Sequence, residues 1–158
     1  MLEPQEQFMR AAIEEALKTK GGADHAIGAV IVKDGHIIAR SPNRTRKDQD
    51  PTQHAEVAAI RNAAAALGQR HLLGCVMYTT HEPCPMCSTA AVWARLQGVV
   101  VGARMDDMDE YRAKNGTGKY SWRTLHISAR DIFAKGDPVV DLVEDFMRDE
   151  CRALFHSV

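Results

Sequence analysis

Long apolar runs are missing from this chain. No stretch approaches the roughly 18 continuous apolar residues that a membrane-spanning helix requires. The first twenty residues, MLEPQEQFMRAAIEEALKTK, lack the basic segment followed by an apolar one that marks a secretory leader. A surplus of charge of either sign is also missing: 20 basic residues stand against 21 acidic ones, so no global electrostatic footprint for RNA or DNA is present, although a local basic patch is not excluded. Cysteine is scarce. Cys75, Cys84, Cys87 and Cys151 are too few and too unevenly spaced for the disulfide framework of a small secreted domain, so reduced thiols and a soluble, cytoplasmic protein are expected. Internal repeats, long linkers and low-complexity tracts are absent as well, and 158 residues suit a single domain spanning 1–158.

What is there alternates between two periodicities. Met9, Ala12, Ile13, Ala16 and Leu17 follow a helical i, i+3, i+4 pattern, with Gly21-Gly22 as its stop. IGAVIVKDGHIIARS gives two β-branched runs joined through Asp34-Gly35, a dipeptide able to take the positive φ of a tight hairpin turn. After the polar loop PNRTRKDQDP, Thr52 is the expected cap of a helix through QHAEVAAIRNAAAALG, which Gly68 ends. CVMYTT and VVVGA read as buried strands, with a helix between them that starts near Pro85, ends near Gly98 and carries Trp93 on its core side. Residues 104–126 read as a loop-rich insertion with at most one short helix. VVDLVEDFMRDECRALF reads as one last amphipathic helix with Val143, Phe146, Met147 and Leu154 turned inward. Strands alternating with helices predict an α/β sheet.

The segment TTHEPCPMC concentrates half of the cysteines. Pro85 suits the first helical position, where a missing N–H costs nothing, which makes Cys84 the N-cap and Cys87 the third residue of the helix. Both thiols then face one point at the positive end of the helix dipole, where thiolates are stabilised. Taken alone, this CxxC fits a zinc site, a redox pair of thioredoxin type or two core cysteines. DPTQHAE adds His54 and Glu56 at the start of the preceding helix. In α/β sheets helix starts converge outside the carboxyl ends of the strands, so His54, Cys84 and Cys87 could supply three ligands to one ion. Three protein ligands leave a fourth position open, the arrangement of a catalytic zinc, and Glu56 lies two residues from a ligand.

HAE followed by PCPMC resembles the His-x-Glu and Pro-Cys-x-x-Cys signature of the zinc deaminases of the cytidine deaminase superfamily. The similarity runs from about Glu6 to Arg104 and is nearest to the guanine deaminase, cytosine deaminase and tRNA adenosine deaminase branch. It implies a three-layer α/β/α sandwich around a mixed five-stranded sheet, one Zn²⁺ per subunit on His54, Cys84 and Cys87, and a homodimer. It implies that Glu56 carries a proton from the attacking water to a ring nitrogen and then to the leaving amine. Asn43 matches the family asparagine that contacts substrate. The backbone groups of Ala29, Cys84 and the Glu82-Pro83 turn are further candidates for polar contacts. His81 is not assigned to zinc, and His25, His36, His71, His126 and His156 have no ligand-like spacing to the motifs. Many relatives have proline where this chain has Ala26. MDDMDEYRAKNGTGKYSWRTLH matches no specificity motif, although Tyr111, Tyr120 and Trp122 in it could cover a flat base.

The favoured expectation is a zinc-dependent aminohydrolase acting on a free nucleobase or nucleoside, of guanine or cytosine type, with guanine slightly ahead. DPTQHAEVAAIR and EPCPMC lean that way. tRNA adenosine deaminase is the alternative, supported by Arg44, Arg46 and Lys47 beside Asn43 and weakened by the adjoining Asp48 and Asp50. A structural-zinc or redox CxxC module is a remote third reading, because it leaves Glu56 and the open coordination position without a use.

Overall fold

The computed structural model describes residues 2–19, 24–116 and 125–156. Eleven elements follow in chain order: α1 (Glu6–Leu17), β1 (Gly28–Lys33), β2 (His36–Pro42), α2 (Ala55–Leu67), β3 (Cys75–His81), α3 (Pro85–Trp93), β4 (Gly98–Ala103), α4 (Met105–Asn115), α5 (Ala129–Ala134), β5 (Asp141–Val143) and α6 (Arg148–His156). Gly21-Gly22, Tyr120 and Trp122 lie outside the described residues. Among the described residues no helix is long and apolar enough to cross a membrane.

The five strands form one mixed sheet in the order β2-β1-β3-β4-β5. β1 is antiparallel to both β2 and β3, whereas β3, β4 and β5 run parallel. Asp34 and Gly35 take φ of 50° and 76° in the β1–β2 turn, as a two-residue hairpin of right-handed strands demands. Alternate strand residues enter different cores: Ala29, Ile31, Met77, Val99 and Val101 pack with α2, α3 and α5, and Val30, Tyr78 and Val100 pack with α1, α4 and α6. Burial of the central strands on both faces explains why their sequences are apolar runs rather than alternations. The result is a three-layer α/β/α sandwich. Gly28 opens β1 directly against the backbone of α1, where an added Cβ would collide with the Ala12 carbonyl. No other residue allows that approach.

Five details depart from the expectations. The cap of α2 is His54, not Thr52, whose hydroxyl instead donates to Asp50 Oδ1 at 2.7 Å. The insertion contains an eleven-residue helix, α4. The anticipated last helix is divided into β5 and α6, because Asp145 and Met147 take φ of 65° and 55° and break the helical path between them. α3 stops at Trp93, before Gly98. Trp93 itself is 81% exposed. The buried stripe of α3 passes through Cys87 and Ala91, and a step of two residues turns a helix by about 200°, which carries Trp93 to the far side.

An ion-pair network holds α4 in place. The buried Asp107 carboxylate accepts the Arg104 N–H at 2.8 Å and two Arg148 N–H groups at 2.9 and 2.8 Å, and Arg104 forks onto Asp145 at 2.6 Å through each of two nitrogens. Burial pushes the Asp107 carboxyl up, but the hydrogen bonds from Arg148 and Arg104 and the charges of Arg148 and Arg152 outweigh it and keep it below the ordinary carboxylate range. α4 and α6 are thereby fixed to each other at the end of the sheet where the chemistry-bearing residues gather.

Candidate metal centre and its pocket

Two helix starts meet at this end of the sheet. His54 is the N-cap of α2 with extended backbone, φ −65° and ψ 154°, and its side chain makes no capping bond, so the ring is directed elsewhere. Cys84 is the N-cap of α3, with Pro85 just inside, and its Sγ accepts the Cys87 N–H at 3.5 Å. His54 Nδ1 lies 3.5 Å from Cys84 Sγ and 3.5 Å from Cys87 Sγ. All three donor atoms fall within 4.8 Å of one another. A tetrahedral zinc with bonds of about 2.3 Å to sulfur and about 2.0 Å to nitrogen places such donors about 3.5 Å apart, so the residues present fit the ion.

The thiols are prepared for it. Without metal they share one proton: Cys84 is lowered to about 4, chiefly by the hydrogen bond from Cys87, with help from His54 and the Cys87 N–H, while Cys87 is raised by the same bond and by burial. A divalent cation in place of that proton lets both become thiolates.

Glu56 is 3% exposed and sits one turn into α2 beside this cluster. Its Oε2 lies 3.5 Å from Cys87 Sγ, and its Oε1 lies 3.1 Å from the Thr79 hydroxyl. That hydroxyl is also 3.0 Å from the His81 carbonyl, so its single hydrogen serves one acceptor at a time. Burial raises the Glu56 pKa above the ordinary carboxylate value, against the opposing charge of His54. A carboxyl so placed can both hold and release a proton near neutral pH.

In front of Glu56 a cavity of about 230 Å³ is lined by Ile27, His54, Glu56, Cys84, Met108 and Leu125 among others. Met108 and Leu125 come from the part of the chain that the sequence left as an insertion. A helical signal was available there in the i, i+3, i+6 spacing of Met105, Met108 and Tyr111. Tyr111 turns away from the pocket and packs edge-on against Phe155, with ring centroids 5.7 Å apart. His81 lines the pocket too, with Nδ1 3.1 Å from the Glu82 carbonyl oxygen.

Asn43 and Ala29 are not among the described residues that line this pocket. Asn43 is buried at the edge of a neighbouring polar groove, its Oδ1 accepting the Thr45 N–H at 3.1 Å. The Asp24 carboxylate holds the same loop through the N–H groups of Arg46 and Lys47 at 2.7 and 3.2 Å. Ala29 is fully buried in β1, opposite Thr79 of β3. Glu82 orients no ligand by a printed contact and is not solvated; it is 8% exposed and accepts two backbone N–H groups, from Met105 and Ala129, at 3.0 Å each.

Comparison with known proteins agrees with this geometry. The chain is 42% identical over 127 residues to a tRNA-specific adenosine deaminase of Agrobacterium fabrum, covering 80% of this chain and 82% of that protein. It is 45% identical over 106 residues to a guanine deaminase of Bacillus subtilis, covering 66% and 68%. A solved tRNA:A34 deaminase, studied for A-to-I editing at the wobble position of transfer RNA, superposes with a TM-score of 0.72 at 36% identity, covering 95% of this chain and 99% of that one. Residues 2–103 match the family of the cytidine and deoxycytidylate deaminase zinc-binding region, and the chain belongs to that family as a zinc-dependent hydrolytic deaminase.

Proposed function

We propose that the chain deaminates a small amino-bearing heterocycle, a free nucleobase or nucleoside, with guanine first among the candidates and cytosine next. In the net reaction water replaces the exocyclic amine, the ring carbon gains an oxo group and ammonia leaves. When bound by His54, Cys84 and Cys87, zinc supplies an activated water whose pKa falls from 15.7 to roughly 7. Glu56 is the proton carrier: its buried carboxyl takes the proton of the attacking water, delivers it to a ring nitrogen and returns a proton to the departing amine. Ile27, Met108 and Leu125 give the ring an apolar seat and exclude bulk water.

The observation that carries the small-substrate reading is the pocket and its rim. The cavity of about 230 Å³ holds one heterocycle, and α4, which supplies Met108, begins with Asp106, Asp107, Asp109 and Glu110 within its first six residues. Such a rim disfavours a polyanion. tRNA adenosine deamination is the second reading, favoured by the fuller alignment with tRNA deaminases, 80% of this chain against 66% for the guanine deaminase. Against it, Arg44 of the basic loop is already paired with Asp48 at 2.9 Å. Ammonia release from free bases, nucleosides, related amino-heterocycles and tRNA decides between them. Turnover of a small heterocycle that is flat with salt is expected. Turnover of an anticodon adenosine alone, falling steeply with salt, reverses the ranking.

The family resemblance and the exposed Trp93 support assembly as a homodimer through the outer side of α3. Trp93→Glu is then expected to shift the sedimenting species from dimer to monomer, and a wild-type monomer at micromolar concentration rules the dimer out.

A further inference from the structure

One carboxylate joins the metal-binding turn to the far wall of the pocket. Glu82 follows the last residue of β3 and precedes Cys84 by two positions. Its Oε1 accepts the N–H of Met105 at 3.0 Å, and its Oε2 accepts the N–H of Ala129 at 3.0 Å. Met105 and Ala129 are the first residues of α4 and α5. First-turn amides have no partner within their own helix, so the two orphan donors and the positive ends of two helices share a single anion. Backbone bonding leaves Glu82 little freedom, because its own N–H donates to the Ala103 carbonyl at 2.7 Å and fixes the turn to the end of β4. Ser88 Oγ donates to the Pro83 carbonyl at 3.1 Å and fixes it to α3 as well.

The two amides bracket a definite piece of chain. Residues 105–129 carry Met108 and Leu125, which line the pocket, whereas the remaining lining residues come from 27–56 and 81–86. The ends of the segment that adds a wall to the pocket are therefore tied to one side chain of the turn that carries the metal ligands. We propose that Glu82 is a positioning residue for substrate: it clamps the 105–129 segment at both ends so that Met108 and Leu125 stand at a fixed distance from Glu56 and the metal centre. The Asp107 network does a different task, since Arg104, Arg148 and Arg152 tie α4 to α6 and leave α5 untouched.

Glu82→Gln separates this role from mere filling of space. Glutamine has the same shape but only one acceptor, and its NH₂ would face an N–H donor whichever way the amide is turned. Two amide signals and one kinetic ratio are to be measured on the zinc-loaded protein. In the wild type the Met105 and Ala129 amides are expected to be protected from hydrogen exchange and to open at similar rates. In Glu82→Gln at least one of them should exchange about tenfold faster or more, with one zinc per chain retained, KM raised about tenfold and kcat changed less than about threefold. Unprotected amides in the wild type, which need no variant to observe, overturn the clamp. So does Glu82→Gln with wild-type amide protection and KM. Zinc lost while the amides stay protected also overturns it, because Glu82 would then support the ligands. The KM arm rests on the deaminase reading of the site. The exchange arm does not, so a failure to find any substrate leaves the clamp testable by itself.

Discussion

Glu56→Gln is expected to keep its zinc and its fold while losing nearly all ammonia release. General acid-base catalysis by one positioned group is commonly worth about 10² to 10⁴ in rate, and here one carboxyl serves both the attacking water and the leaving amine, so the loss should reach the upper end or exceed it. The structure explains why the fold survives. Glu56 is 3% exposed, and burial is what raises its pKa, so the native protein bears the cost of desolvating its charged form. Glutamine removes that cost. Its oxygen can accept from the Thr79 hydroxyl, 3.1 Å from Oε1 in the native protein, and its NH₂ can approach Cys87 Sγ, 3.5 Å from Oε2. The melting temperature of the variant should therefore equal or exceed that of the wild type. Zinc content, a melting curve and ammonia release on one preparation make the test. More than about a tenth of wild-type turnover would mean that another group moves the proton, since no shuttle is lost so cheaply. Loss of zinc would instead place Glu56 in support of the metal site.

The metal cradle was legible because each of its parts carries a local mark. Pro85 fixes where α3 begins, which assigns Cys84 to the cap and Cys87 to the first turn, and those positions face a common point whatever surrounds them. The four longer strands were legible for a similar reason: burial on both faces leaves continuous apolar runs that need no tertiary information to detect. β5 was not. VVDLVEDF places apolar residues where a helix would also want them, and only pairing with Gly98–Val100 of β4 decides for a three-residue strand. α4 was obscured by its charge. Its buried residues are Met108 and Asp107, and the second is buried because Arg148 and Arg152, more than forty positions away, lie across it. No window of sequence around Asp107 contains those partners. Substrate choice depends on the same region, since Met108 and Leu125 complete the pocket, and this is why the chemistry could be read before the substrate could.

Cys87→Ala is expected to lose zinc and, with it, turnover. The Cys87 thiol is completely buried, 3.5 Å from His54 Nδ1, and forms one corner of the three-donor cluster. Alanine leaves His54 and Cys84 to hold the ion with half the anionic charge and no chelating pair. Altering a group that merely supports a ligand commonly costs 10- to 100-fold in metal affinity, so deleting a ligand should cost more than about 100-fold. After dialysis the variant should carry well under one zinc per chain. A buried thiol is also packing, so the effect of lost volume has to be separated from that of a lost ligand. Cys75 and Cys151 provide the separation. Both are buried free thiols in the two cores, Cys75 with α2 and α3 and Cys151 with α1 and α4, and neither belongs to the donor cluster. Cys75→Ala and Cys151→Ala should lower the melting temperature through the cavities they leave while keeping one zinc per chain and turnover near wild type. If all three variants keep zinc equally, Cys87 is a packing residue and the ion is held by a different set. If Cys87→Ala alone loses it, the thiolate is a ligand.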